Sequence, residues 1–183
     1  MTPLDLSSFA GLGAMLLLTL NVLLGVLVSR NYNPARRWPF RKIPLFRIHN
    51  WTAYIALVLI LLHPALLLFN TKPAFRLGDL LYPVHSPGQS LYNTLGALTW
   101  YAVLVVVVTS YFRPRLGSRP WKKIHFTAYF AAATMFLHGT LIDPDLKGRP
   151  PDLLDGEKVL VEGCFLAVAA AAVWRVRQQK KLR

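Results

Sequence analysis

The chain is poor in cysteine, in acidic residues, and in charge along its apolar stretches. Its 183 residues include one cysteine, Cys164, and eight aspartates and glutamates against 21 lysines and arginines. A single cysteine excludes an intramolecular disulfide framework, a cysteine-based zinc site and an iron–sulfur cluster. For Cys164 itself, the expected role is a small apolar residue inside a helix.

Charge is absent from four long runs, at 9–28, 51–69, 91–112 and 124–142, and a shorter run at 159–174 carries only Glu162. A helix needs roughly 20 apolar residues to cross a hydrocarbon core of about 30 Å. The sequence therefore predicts an all-α membrane protein, embedded in the lipid bilayer as one domain over 1–183. The five predicted transmembrane helices of this bundle lie at about 9–28, 49–69, 91–112, 123–142 and 159–175.

The formal net charge of +13 suggests nucleic-acid binding, but the distribution of the cations favours a membrane. Sixteen of the 21 lysines and arginines follow the first, third and fifth runs, at 30–47, 113–123 and 175–183, with no acid among them. All eight acids lie on the other side of the predicted membrane. This positive-inside pattern predicts an external N-terminus, a cytoplasmic C-terminus and no nucleic-acid partner.

Four of the five histidines form two similarly spaced pairs in the second and fourth predicted helices. His63 follows His49 by 14 residues and His138 follows His125 by 13, so each pair spans roughly 20 Å along its helix. Both helices run outward, which places His49 and His125 at one depth near the cytoplasm and the other two at a second depth. Two levels with one histidine from each helix suit the axial positions of two stacked b-type hemes.

The helical geometry is less favourable for one pair than for the other. An α-helix rotates by about 100° per residue, so an interval of 14 residues leaves the side chains of His49 and His63 about 40° apart around the helix axis. An interval of 13 residues leaves those of His125 and His138 about 140° apart. Tilt, a local bulge or side-chain reach must close that difference. Two other interpretations stay open: four unrelated core histidines bonded between helices, and a histidine-lined transporter or metal pathway. Transporters normally carry intramembrane carboxylates, and only Glu162 qualifies here.

The segments RIHNWTAYIALVLILLHPALLLF and WKKIHFTAYFAAATMFLHGTLIDP resemble the ferric reductase-like transmembrane domain, over roughly 47–144. That superfamily includes the membrane part of NADPH oxidases, ferric-chelate reductases and the heme subunit of a bacterial methionine sulfoxide reductase system. The resemblance implies an inner heme between His49 and His125 and an outer heme between His63 and His138. The family usually has six spans, which suggests that its first span is the one missing here.

Two hemes in series imply a transmembrane cytochrome that carries electrons from a cytoplasmic donor to an external acceptor. Because no glycine-rich nucleotide fingerprint is present, we expect a separate donor, either a flavoprotein reductase or a quinol. The acceptor would be a ferric chelate, dioxygen, a quinone or an extracytoplasmic protein. The alternative is a non-catalytic relay subunit for a separate extracytoplasmic reductase. The expected location is the inner (cytoplasmic) membrane of a bacterium.

Cations near the histidines are candidate partners for the anionic heme propionates. The candidates are Arg47, Lys122 and Lys123 for the inner heme, and Lys72, Arg76, Lys147 and Arg149 for the outer heme. Each of them has the alternative role of a topology signal at the lipid headgroups. Phe130, near mid-depth, either bridges the hemes or simply packs, and His85 is expected to be a solvated loop residue.

Overall fold

A computed structural model describes residues 1–30 and 44–180 of the chain, with the side chains of 178–180 excepted. Six of the 16 cations that the charge pattern places on the cytoplasmic side, at 36, 37, 41, 42, 181 and 183, lie outside the described residues. Short 3₁₀ turns at Leu67–Phe69 and Pro83–His85 accompany eight α-helices in the described part. These are α1 (Pro3–Ser29), α2 (Leu45–Leu66), α3 (Leu77–Leu81), α4 (Ser90–Tyr111), α5 (Arg113–Leu116), α6 (Ser118–His125), α7 (Thr127–Leu141) and α8 (Gly156–Lys180).

Four helical segments are long and apolar enough to cross a membrane, at Pro3–Ser29, Leu45–Phe69, Ser90–Tyr111 and Gly156–Arg177. They correspond to the first, second, third and fifth predicted spans, and they make the chain a multi-pass membrane protein. Helix α1 begins earlier than predicted because Thr2 and Asp5 form a reciprocal capping box. In it, each side chain accepts a hydrogen bond from the other residue's backbone N–H.

The fourth predicted span, 123–142, is not one helix but is divided between α6 and α7. Helix α7 has 15 residues, fewer than the roughly 20 that a span needs. The division falls at Phe126, whose dihedral angles (φ −65°, ψ −17°) are closer to those of a 3₁₀ turn than to those of an α-helix. The N–H of Tyr129 bonds to the carbonyl of Phe126, three residues back, so the chain is overwound at this point.

The two helices that carry the histidines are held by their neighbours rather than by each other. Helix α1 packs extensively on α2, and α4 packs on α7, whereas α2 and α7 barely touch in the described part. Helix α8 covers α1 and α7 through a cluster around Met15, Met135 and Val161. A second cluster, which includes Ile60 and Ala131, joins α1, α2, α4 and α7.

The alternating direction of the long helices gives the bundle two ends. We call the acidic end the one with the N-terminus and segments 70–89 and 142–155. The basic end is the one with segments 44–48 and 112–123. A cavity at the acidic end is lined in part by Leu4, Asp79, Asn93, Asp143 and Lys158. The starts of α1, α4 and α8 therefore meet the ends of α2 and α7 there.

Candidate functional site

The structure brings the four histidines together as two pairs, which are the pairs that the residue spacing predicts. The ring centres of His49 and His125 are 6.3 Å apart, with the ring planes crossed at 67°. Those of His63 and His138 are 6.1 Å apart and crossed at 71°. Each pair therefore takes one imidazole from α2 and one from the chain of α6 and α7.

Three of the four imidazoles bond through Nδ1 to a backbone carbonyl of a neighbouring helix. The bonds join His49 to Asn21 (3.0 Å), His63 to Ser7 (2.7 Å) and His138 to Tyr92 (2.8 Å). A carbonyl oxygen only accepts, so Nδ1 carries the proton in each ring, and Nε2 of the neutral imidazole keeps its lone pair. Metal-binding histidines are commonly oriented in this way by the nitrogen that does not bind the metal.

A glycine lies four residues after each of these carbonyls, which is one helical turn. A Cβ placed on Gly11, Gly25 or Gly96 would lie 3.0, 3.2 and 3.0 Å from the rings of His63, His49 and His138, respectively. The carbonyl of residue i points towards residue i+4 in a helix. A missing side chain at i+4 therefore lets the imidazole approach that carbonyl closely.

The supporting helices repeat the spacing of the histidines. Gly11 and Gly25 on α1 are 14 residues apart, and Gly96 and Ser110 on α4 are also 14 apart. Ser110 faces His125, with 3.3 Å between Oγ and Nδ1. Helix α1 thus supports both histidines of α2, and α4 supports the other two. The glycine spacing is a signal in the sequence that inspection of the histidines alone does not reveal.

The two carbonyl residues on α1 also bond back to the histidine that each supports. The Asn21 amide donates to the backbone carbonyl of His49 and to the hydroxyl of Thr52. The Ser7 hydroxyl donates to the backbone carbonyl of His63 at 2.8 Å. Each histidine of α2 is therefore held at both its ring and its backbone by one residue of α1.

The break at Phe126 accounts in part for the 13-residue spacing of His125 and His138. A 3₁₀ turn rotates the chain by about 120° per residue, where an α-helix rotates it by about 100°. Overwinding therefore turns His138 towards the helix face of His125 and reduces the angle of about 140° that an ideal α-helix would leave between them. Both rings reach their partners on α2.

The predicted propionate partners lie at the two ends of the bundle. Five of them are exposed to solvent: Arg47, Lys72, Arg76, Lys122 and Lys123. Lys147 pairs with Asp145, and Arg149 pairs with Asp143 and Asp145. The ion pairs of Lys147 and Arg149 are interactions within the loop 142–155, and a role for any of these cations at a heme stays a prediction.

Two arginines that the sequence reasoning did not single out lie beside the inner pair. Arg113 stacks over the ring of Trp121 at 4.2 Å, and Trp121 lies 4.9 Å from His125 between ring centres. Arg175 bonds to the hydroxyl of Tyr129 and lies over the ring of Phe126. Positive charge is therefore built into the inner level from α5 and α8.

A buried lysine lies beside the outer pair. Lys158 is 4% exposed, and its ammonium donates to the carbonyls of Gly139 (2.8 Å) and Ile142 (2.6 Å). These carbonyls end the helix that carries His138. In the charge pattern of the sequence, Lys158 is one of the five cations outside the three basic segments.

Two aromatic residues lie between the levels. Phe130, predicted to bridge or to pack, is 51% exposed on α7, and its bridging role stays a prediction. Trp100 on α4 lines the cavity that contains His63 and His138 and packs against the cluster that includes Ile60. Trp100 is therefore a further aromatic candidate on the path between the two levels.

The loop after α7 is organised by the carboxylate of Asp143. It accepts the backbone N–H groups of Asp145 (3.1 Å), Lys147 (3.0 Å) and Arg149 (3.0 Å). The Gln89 amide makes two bonds to the Asp143 backbone and so fastens the loop to the start of α4. Burial opposes the charge, but these N–H donors and the Arg149 guanidinium outweigh burial and lower the pKa of Asp143.

The histidine pairs fit a heme at each level. Two axial bonds of about 2 Å, plus about 1 Å from each nitrogen to its ring centre, separate two ring centres by roughly 6 Å. The measured separations are 6.1 and 6.3 Å. No third His, Cys, Asp or Glu joins either pair among the described residues. Two axial donors are what a porphyrin takes from a protein, whereas a bare zinc ion takes three or four.

The family model of the ferric reductase-like transmembrane component matches residues 10–136. The chain belongs to this family. The matched part of this ferric reductase-like component contains His49, His63 and His125 and ends two residues before His138. It also contains Gly11 and Asn21, so most of the helix that supports the histidines of α2 lies within the matched part, while Ser7 precedes it.

The resemblance identified from the two histidine segments is confirmed by this match, which starts nearer to the N-terminus than those segments do. No curated protein and no solved structure matches the chain. Membership gives this ferric reductase-like component a role in electron transfer at the membrane.

Proposed function

We propose that this ferric reductase-like component is a b-type diheme cytochrome that carries electrons from a cytoplasmic donor to an external acceptor. One observation supports it above the others: two imidazole pairs, each with ring centres about 6 Å apart. Heme iron, when bound, supplies a reversible one-electron couple at each level.

The roles of the side chains follow from their contacts. His49 and His125 would hold the iron of the inner heme, and His63 and His138 would hold that of the outer heme. The carbonyls of Ser7, Asn21 and Tyr92 fix the tautomer of three of these rings and keep Nε2 available. Gly11, Gly25 and Gly96 give these three rings room to reach their carbonyls.

The direction of transfer rests on the proposed topology. In it, α6 and α7 together make a fifth crossing, because helical dihedral angles continue through Phe126. The basic end then faces the cytoplasm. Its positive surface would steer an acidic flavoprotein reductase towards the inner level, with a quinol as the other class of donor. The acceptor at the outer level would be a ferric chelate, dioxygen, a quinone or an extracytoplasmic protein.

The same pairs of ligands favour a second function, that of a relay subunit. Two histidines at each level would supply both protein ligands of a heme, so an acceptor would take its electron from the bound heme without itself binding to the iron. A chemically reduced, heme-loaded protein distinguishes the two functions. Rapid reoxidation by a ferric chelate or dioxygen alone indicates a reductase, and slow reoxidation until an acceptor protein is added indicates a relay.

The first test is to purify the protein from membranes of heme-sufficient cells and to record its reduced-minus-oxidised spectrum. We expect a low-spin b-type signal and two hemes per chain. A protein that is folded but shows no such signal would contradict the proposal. A stable content of one heme per chain would contradict its diheme part.

The pairing of the ligands predicts which substitutions act together. His49→Ala and His125→Ala should remove the same heme, and His63→Ala and His138→Ala should remove the other. The exposed His85 provides the control, because His85→Ala should keep both hemes. Loss of the same heme in His49→Ala and His63→Ala would show that the two histidines of α2 do not serve separate levels.

A further inference from the structure

The inner ligand His125 is held differently from the other three. Its Nδ1 lies 3.3 Å from the Ser110 hydroxyl, where the other rings have backbone carbonyls at 2.7–3.0 Å. Ser110 also occupies the place that the 14-residue repeat gives to a glycine, since Gly96 lies 14 residues before it. Position 110 therefore carries a side chain where the corresponding positions at the other three rings, 11, 25 and 96, are glycines.

The Ser110 hydroxyl is shared between two donors. Nε1 of Trp121, which can only donate, bonds to the same oxygen at 3.2 Å. The ring of Trp121 also stacks on His125, with an angle of 32° between the planes. When Nε2 of His125 binds a metal, its Nδ1 carries the proton. The Ser110 oxygen then accepts a hydrogen bond from His125 and another from Trp121. It is therefore a weaker acceptor for His125 than an unshared backbone carbonyl would be.

The place of Ser110 in the fold adds to this difference. Together with Tyr54 and Arg113 it lines an open recess at the basic end of the bundle. Arg113 lies over the ring of Trp121, 4.2 Å from its centre. The partner of His125 at Nδ1 is thus the Ser110 side chain, which lies at the basic end, where the proposed electron donor would bind. Its hydroxyl also accepts the bond from Trp121 of α6.

We infer that Ser110 is a positioning residue that sets the redox potential of the inner level through the Nδ1 bond of His125. This inference rests on the proposed diheme function. A strong acceptor at Nδ1 makes the imidazole a more electron-rich ligand and stabilises ferric iron. The shared hydroxyl gives less of this stabilisation, so the inner potential is higher than a carbonyl partner would make it.

Two substitutions of Ser110 should move the inner potential in opposite directions. Ser110→Ala removes the acceptor and keeps a side chain against the ring, so the potential should rise. Ser110→Gly restores the glycine of the repeat and lets the ring approach the carbonyl of Val106, four residues earlier, so the potential should fall. A change that only loosened the packing would not give shifts of opposite sign.

The experiment is an optical redox titration of the purified, heme-loaded protein, with the inner step identified as the one that His49→Ala removes. Val108→Gly and Val108→Ala are the matched controls, because Val108 lies on the same turn of α4 and its side chain is 44% exposed. Opposite shifts of the inner step, with the outer step unchanged and the controls silent, support the inference. Shifts of the same sign, or none, overturn it. A wild-type protein without two heme steps would instead overturn the proposed function.

Discussion

Each histidine of the outer pair is held by one carbonyl and approached by one glycine, and the glycine can be tested on its own. We predict that Gly11→Ala and Gly96→Ala reduce heme at the outer level and spare the inner level. The added Cβ would lie 3.0 Å from the ring of His63 or His138, so the ring must move away from its carbonyl. Heme content per chain, with the remaining heme assigned by its redox step, measures this.

The control for these variants is Gly13→Ala on the same helix. A Cβ on Gly13 would meet only the end of the Leu59 side chain, at 3.4 Å, and a leucine methyl can shift. This variant should keep both hemes. If Gly13→Ala lost as much heme as Gly11→Ala, the effect would come from α1 as a whole rather than from contact with the ring.

Some of the site could be predicted from the sequence because histidine is rare in it. The spacing of four histidines was enough to predict His49 with His125 and His63 with His138. Their carbonyl partners could not be predicted, since every residue carries a carbonyl and only packing selects Ser7, Asn21 or Tyr92. Among the residues that support the histidine rings, only the glycines give a signal in the sequence, through the 14-residue interval from Gly11 to Gly25.

Asp143 is the residue whose charge should make stability depend on pH. Its folded pKa is lowered by the surrounding N–H groups and Arg149, below the usual value of about 4 for an unfolded carboxyl. A lowered folded pKa contributes stability above that value, and the contribution is lost as the pH falls through the folded pKa. We predict that Asp143→Asn lowers the unfolding temperature at neutral pH.

The difference between wild type and Asp143→Asn should narrow as the pH is lowered from about 7 towards about 3. Asp152→Asn is the matched control, because Asp152 is an exposed carboxylate of the same loop. It should have little effect at either pH. A constant difference between Asp143→Asn and wild type over this range would show that the carboxylate charge is not the stabilising feature.

At the scale of the element, the two ends of α7 decide where His125 and His138 lie. The N-terminal end is overwound at Phe126, and the C-terminal end is closed by the ammonium of Lys158. The sequence could not predict the break, because Phe126 lies inside an apolar run with no proline or glycine beside it. It also could not predict the cap, because Lys158 is remote in sequence from the carbonyls of Gly139 and Ile142.

Lys158→Met should destabilise the end of α7 and, through it, the outer heme. Two bonds from a charged donor are lost, each contributing about 1.5–3 kcal/mol when buried, while methionine keeps most of the side-chain volume. We expect a lower unfolding temperature and faster hydrogen exchange at residues 139–142. Lys147→Met, at a side chain 68% exposed in the adjacent loop, should change neither, and equal effects of the two variants would exclude a specific cap.

At the scale of the whole molecule, composition was the most reliable guide. Four of the five apolar runs became helices of spanning length, since a long uncharged run has few other structures available in a membrane. The charge pattern also predicted which loops share an end, and the cavity lined by Leu4, Asn93, Asp143 and Lys158 brings such segments together. Charge patterns do not encode the internal break of a helix, which is why the fourth run was predicted as one element.

The orientation of the bundle in the membrane can be tested by labelling cysteines introduced at its two ends. Cys164 is the sole cysteine and is 6% exposed, so a membrane-impermeant maleimide should label the wild type weakly. On intact cells, Asp152→Cys at the acidic end should be labelled directly, because the proposed topology puts that end outside. Arg115→Cys at the basic end should be labelled only after the membrane is permeabilised. Both positions are exposed, so the reverse pattern would mean that electrons cross in the opposite direction to the one proposed.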